Sequence, residues 1–485
     1  MRLIALIRPS HSSNSAPMFK RLIPLTTLLL SACAIAPEAP QLAAPSAARG
    51  SFVGSRSTDG DIGEHPVPNA WWKLFEDAAL DRQIAKAIAA NLDLRVALAN
   101  LDVARAVEHQ GGAARLPATV IESGAGPERA DKQPSTSSVA KSGYELGATV
   151  AYEIDLFGRL RYAALAATAD AEATAAALES ARLAVVADTV SAYVDFCGAS
   201  AATALAEQQL QLQQRSLELV DRQLEQGEVS PLELAQARGA LETARTALPA
   251  PRADRQRAAF RLAALQGLPP AAAESLALDC TAVPAIRQAL PVGDGTGLIA
   301  RRPDIRQAGY RLNAATARIG VASAELYPRI SLGGSAGLIG GGFDAVLTPL
   351  ISWSFPNQTL ARARIDAAKG TATSALAQWD ATVLRALGEV ENALADYRAE
   401  TQRRQPLAAA LVQATEAVRL AQARYRLGAE NYLVVLDAER RRNDLSQQTL
   451  DSNLRLARSQ IALFRALGGG WQPEAVIGDV ADSSE

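Results

Sequence analysis

Histidine is scarce in this chain: of 485 residues, only His11, His65 and His109 carry an imidazole. The stretch Gly333 to Gly337, GGSAG, satisfies the spacing of a nucleophile elbow, but that chemistry needs a strand–turn–helix setting and a histidine later in the chain. None follows. GDGTG at 293–297 fails the spacing of a dinucleotide fingerprint, and neither a P-loop nor a zinc-binding pattern occurs. No enzyme, metal or cofactor is therefore expected. The formal charge is only −2, which leaves no electrostatic case for a nucleic-acid partner. Past the N-terminal leader no run approaches 18 consecutive apolar residues, so no transmembrane helix is expected. Alanine, by contrast, is abundant; it favours helix and lets helices approach closely.

The leader itself is short. Lys20 and Arg21 precede an apolar or uncharged run from Leu22 to Ala32, too brief for a bilayer span of roughly 20 residues and suited to a secretory signal peptide. Leu30-Ser31-Ala32-Cys33 resembles a bacterial lipobox, which makes Cys33 the expected lipidation site after removal of residues 1–32. A signal peptide with a chance cysteine is the alternative. Met18 offers a second start, which would make 1–17 an upstream extension. Ala34, where an aspartate would resemble an inner-membrane retention signal, favours the outer membrane. Residues 33–69, rich in Pro, Ala, Ser and Gly, read as a lipid-anchored tether of low order.

The rest is a tandem duplication. An offset of 201 residues carries GEVSPLELAQAR, from Gly227, onto GAENYLVVLDAE, from Gly428, and Tyr152 onto Trp353. An offset of 211 carries Asp93, Arg95 and Pro117 onto Asp304, Arg306 and Pro328. The first repeat spans 70–270, the second 301–472, with a linker at 271–300 and a disordered tail at 473–485.

Each copy predicts a strand hairpin, about 117–155 and about 328–355. In GYELGATVAYEID, from Gly143, Tyr144, Leu146, Ala148, Val150, Tyr152 and Ile154 alternate with Glu145, Gly147, Thr149, Ala151, Glu153 and Asp155, giving one apolar and one polar face. Tyr144 and Tyr152, with Trp353 in the second copy, fit the aromatic girdle of a membrane barrel. Pro349 suits an edge or a bulge. A very long helix follows each hairpin; 159–226, free of proline, would reach roughly 100 Å if continuous. Pro406, and Gly198 near the equivalent height, predict a kink or break. Turns at Gly227 and Gly428 send a single helix back in each copy, the first to about Gly267. Four strands cannot close a barrel, and an open edge cannot sit in lipid. Three chains would give twelve.

WWKLFEDAALDRQIAKAIAANLDLRVALA from Trp71, YEIDLFGRLRY from Tyr152, LIARRPDIRQAGYRLNAATARIGVASAELYPRISL from Leu298 and ALGGGW from Ala466 resemble the TolC-like outer-membrane efflux channel family, in its lipoprotein branch. The resemblance covers 70–472 and implies an α+β membrane protein. In it a long α-helical barrel continues a trimeric 12-stranded antiparallel β-barrel, four strands per chain. It implies a homotrimer with outer-membrane lipid, a periplasmic adaptor and a proton-driven inner-membrane pump as partners, and no chemistry of its own. The adaptor would dock at the hairpin tips, Gly227, Glu228, Val229, Ser230, Gly428 and Ala429. Tyr425 matches the family's gating tyrosine, Glu233 an acidic latch position and Asp437 one of two ring aspartates. Val434 replaces the other aspartate and Glu430 the gate arginine, for which Arg222, Arg424 or Arg426 could substitute. Cys197 and Cys280, exported to an oxidising compartment, are candidates for a disulfide, two buried thiols being the alternative. Two other classes stay open: a lipid-anchored coiled-coil scaffold or adhesin, and a passive uptake porin.

Overall fold

A computed structural model describes residues 50–55, 62–63, 65–127, 142–276, 278–339 and 342–469. Cys33, the leader and the C-terminal tail lie outside them. In chain order the elements are β1 (Ile62–Gly63), α1 (Ala78–Ala90), α2 (Leu92–Ala113), β2 (Ala118–Pro127), β3 (Ser142–Ile154), α3 (Arg159–Glu225), α4 (Pro231–Thr246) and α5 (Pro249–Leu265). There follow β4 (Leu290–Pro291), α6 (Gly295–Arg301), α7 (Pro303–Ala324), β5 (Arg329–Ile339), β6 (Gly342–Ser352), α8 (Thr359–Arg426) and α9 (Tyr432–Ala466). Two compact units result, and each draws on both copies of the duplication.

The smaller unit comprises Glu108–Ala167 and Asn313–Ala372. Its four-stranded antiparallel sheet has the order β2-β3-β5-β6, so β3 and β5 join the two hairpins. Tyr152 lies opposite Leu332, and Leu332 opposite Pro349, which keeps the alternating apolar positions of β3, β5 and β6 on one face. Pro349 sits in the edge strand β6, where a missing ladder donor is tolerated. GGSAG lies within β5, paired on both sides, with none of the sharp turn an elbow needs. Trp353 falls one residue past β6, donates its indole N–H to the Leu326 carbonyl at 3.1 Å and stacks on Phe355. Tyr152 is half-buried, and the side chain of Tyr144 lies outside the described set. At the sheet's helical end Asp155 accepts from the backbone of Leu160 and Arg161, capping α3, while Arg159 forks onto Glu153 at 2.8 and 2.6 Å. Gly320 lets α7 press against Tyr162, whose ring a Cβ there would meet at 2.5 Å.

The larger unit is helical. Its core gathers Trp71, Leu80, Ile84, Tyr193, Leu394 and Phe464, with Trp71 stacked on Phe464 at 5.0 Å. The described part of the tether segment is not of low order, contrary to its composition. Phe52 and Val67 are buried, the N–H groups of Val53 and Gly54 donate to Glu391 at 2.7 and 2.8 Å, and β1 pairs in parallel with β4. Two well-placed apolar side chains and a carboxylate that satisfies free donors outweigh the Pro/Gly bias. The RRPD motif ties three segments: Arg302 forks onto Asp304 at 2.9 and 2.7 Å and donates to Glu389 and to the Ala466 carbonyl. Cys197 and Cys280 are joined, their Cα atoms 5.2 Å apart. One 18-residue window of α3 is apolar enough for a membrane span by composition, but 72% of it is buried.

The expected break near Pro406 and Gly198 is absent: α8 runs through Pro406, and α3 through Gly198. Propagation on both sides, reinforced by packing, exceeds the roughly 3 kcal/mol an interior proline costs. Gly198 instead permits contact, since a Cβ there would lie 2.9 Å from Leu454. The return of the first copy, expected as one helix, is interrupted between Thr246 and Pro249. Pro249 and Pro251 offer no N–H, and Ala247 and Leu248 bond three residues back. In the second copy α9 is uninterrupted over 35 residues.

Candidate functional site at the hairpin tips

Both tips lie in the helical unit, and the same backbone device closes each. Gly227 (φ +75°) and Gly428 (φ +68°) take the left-handed conformation that glycine adopts without strain. At the first tip the N–H of Glu228 reaches the Gln223 carbonyl and that of Gly227 the Leu224 carbonyl; at the second, Ala429 reaches Arg424 and Gly428 reaches Tyr425. This pair of bonds is a Schellman motif, which satisfies the last carbonyls of α3 and α8. The return helices begin with different caps. Ser230 gives its N–H to Glu233 at 2.8 Å, the reaching-back half of a capping box, whereas Asn431 accepts from the Val434 N–H at 3.2 Å.

Beneath the turns Val220, Ala237, Ala421, Tyr425, Tyr432, Val435 and Leu436 form a small core of their own, with Val229 and Leu234 against it. Tyr425 donates its hydroxyl to Gln223 at 2.8 Å, and its ring centroid is 5.7 Å from that of Tyr432. Burial first, then the nearby charges of Glu233 and Glu228 and the Tyr432 phenol, push the Tyr425 hydroxyl up to about 12. Burial raises Tyr432 as well; its hydroxyl bonds Ser216 at 2.9 Å.

The other candidate gate residues have local partners within the chain. Glu233 is engaged by Ser230, Glu430 lies 3.5 Å from Arg424, and Asp437 lies 3.7 Å from Arg440 on its own helix, both well exposed. Arg222 donates to the Glu218 carbonyl. Leu427 is 82% exposed, and Leu232, Leu433 and Val434 are exposed at the tips too, among the exposed charges of Glu228, Arg424 and Arg426.

Sequence reasoning passed over the polar residues inside the bundle. Glu439, only 5% exposed, accepts from Gln213 of α3 and Gln422 of α8, both at 3.0 Å. A signal existed: Tyr432, Val435, Leu436 and Glu439 fall at i, i+3, i+4 and i+7, so the carboxylate occupies an apolar-stripe position.

Comparison with known proteins gives concordant results. The family described as outer membrane efflux protein matches residues 83–268 and 297–469, one segment per copy. The outer membrane protein OprJ of Pseudomonas aeruginosa is 34% identical over 463 residues, covering 92% of this chain and 95% of that protein. The solvent efflux pump outer membrane protein SrpC of Pseudomonas putida is 32% identical over 470 residues, covering 93% and 98%. The solved outer-membrane channel OprN superposes with a TM-score of 0.81 at 34% identity, over 90% of this chain and 99% of that one.

Proposed function

The chain belongs to the outer membrane efflux protein family, and on that premise we propose that it is the outer-membrane channel of a tripartite efflux system. Three chains pool their sheets into a twelve-stranded barrel, and their helices form a tube through the periplasm. The observation that carries this reading is the sheet: four strands, with β2 and β6 as unpaired edges and Ile121, Leu146, Leu347 and Ile351 exposed. Edges of this kind are intolerable in lipid and hazardous in water, and closure by two further copies removes them. Lipid attached at Cys33 holds the N-terminus at the membrane. The tips Gly227–Ser230 and Gly428–Ala429, with apolar Leu427 and Leu232 beside them, receive the adaptor. Tyr425, Glu233, Asp437 and Glu430 stand at the aperture. The conduit is passive, and a proton-driven inner-membrane pump delivers the substrate. A coiled-coil scaffold would have no use for an exposed apolar sheet.

The test is direct. The full chain, extracted from outer membranes, should run as a heat-resistant trimer and produce discrete conductance steps in planar bilayers. A monomer that leaves bilayers sealed rejects the channel.

A further inference from the structure

The acids at the surface of the tips do not reach across to α3: Ser230 holds Glu233, Arg424 holds Glu430, and Arg440 on the same helix holds Asp437. At the second tip the side-chain hydrogen bonds that do cross to α3 are buried or half-buried. Gln213, Ser216 and Gln223, all on α3, bond Glu439, Tyr432 and Tyr425 of the second hairpin. Glu439 is the centre of this set, because one carboxylate oxygen takes the amide of Gln213 and the other that of Gln422. It joins three helices and, among the described residues, forms no ion pair. Removing such a group from one side is costly, because its amide partners are left without an acceptor, and its two bonds fit one register. Sliding α9 by one residue moves the carboxylate about 1.5 Å along the axis and rotates it about 100°, out of reach of both amides.

We propose that Glu439 is the positioning residue that clamps the second hairpin tip in register against α3, in place of the surface latch. The inference rests on the channel reading only in taking the tip as the aperture; the clamp itself is tested without conduction.

Trypsin cuts after Arg424 and Arg426, which flank Tyr425 at the end of α8. In the purified full chain, Glu439→Leu leaves the buried amide of Gln213 and the half-buried amide of Gln422 without an acceptor and should speed cleavage there about tenfold or more. Glu439→Gln should stay within about twofold of the wild type. Its carbonyl accepts from Gln422, and its amide donates to the Gln213 carbonyl oxygen, which is buried without a partner. Should Glu439→Leu not assemble, Gln213→Ala serves in its place with the same expected acceleration. Cleavage no faster than wild type overturns the clamp, as does a glutamine variant cut as fast as the leucine one. In planar bilayers Glu439→Leu should also conduct more than wild type; unchanged conductance beside faster cleavage removes the clamp from gating. Faster cleavage with no conductance from any variant leaves the clamp standing and rejects the channel.

Discussion

The two hairpin tips share one turn and differ in nearly everything beneath it. The 201-residue offset pairs Gly227 with Gly428 and Ser230 with Asn431, but Leu224 with Tyr425, Pro231 with Tyr432 and Arg238 with Glu439. It also pairs Asp221 with Gln422, so one pair of positions across the turn is an exposed Arg238–Asp221 contact at 3.9 Å in the first copy and a half-buried Glu439–Gln422 bond in the second. Duplication preserved what the backbone demands and released the side chains. The second tip carries the aromatic and acidic groups that enter the bundle, while the first contributes their partners from α3.

The comparison can be broken most forcefully at its largest side chain. Tyr432→Ala removes a fully buried ring and its bond to Ser216, and should cost about 3–5 kcal/mol of local stability, read as faster hydrogen exchange over 428–440. Pro231→Ala, at the exposed counterpart, should leave exchange at the first tip nearly unchanged. A smaller difference is expected in alkali. The Tyr425 pKa is raised in the fold, so its contribution is complete below pH ~10, the ordinary tyrosine value, and is lost as pH rises through about 12. Exchange at the second tip should accelerate across that window, and Tyr425→Phe should abolish the acceleration. Gly227→Ala and Gly428→Ala should each cost about 1 kcal/mol and by similar amounts, because both meet open space and suffer only from positive φ. Unequal costs would show that the turns are not equivalent. Smallest of all, Asp221→Ala should change tip exchange by no more than about 0.5 kcal/mol, since an exposed ion pair contributes little.

Much of this was legible before any coordinates. Gly227 and Gly428 marked the turns because a positive φ has few other occupants, and the alternation from Tyr144 to Ile154 marked β3 because a half-exposed strand has no other period. Segments governed by tertiary contact were less readable. Residues 50–69 have the composition of a linker, yet Phe52 and Val67 are seated in the helical core, and their sites exist only once distant helices are in place. Pro406 looked like a break because local rules assign it a cost, but those rules carry no account of the packing on either side. The interruption at Ala247–Leu248 has a local cause in Pro249 and Pro251, which the repeat pattern, predicting one uniform return helix, does not weigh. Glu439 stood on the apolar stripe of α9 in plain view. Its role depends on two glutamines far away in sequence, which no spacing within one helix can reveal.

The interruption between α4 and α5 makes the two return arms mechanically unlike. Displacement of the first tip is absorbed at Ala247–Leu248, where the ladder already lacks donors, so that arm works as a jointed limb. The second arm is a strut of 35 residues, about 50 Å, ending where Phe464 stacks on Trp71 and the Ala466 carbonyl meets Arg302. A push at Gly428 therefore travels to that distant knot, while the same push at Gly227 is spent halfway.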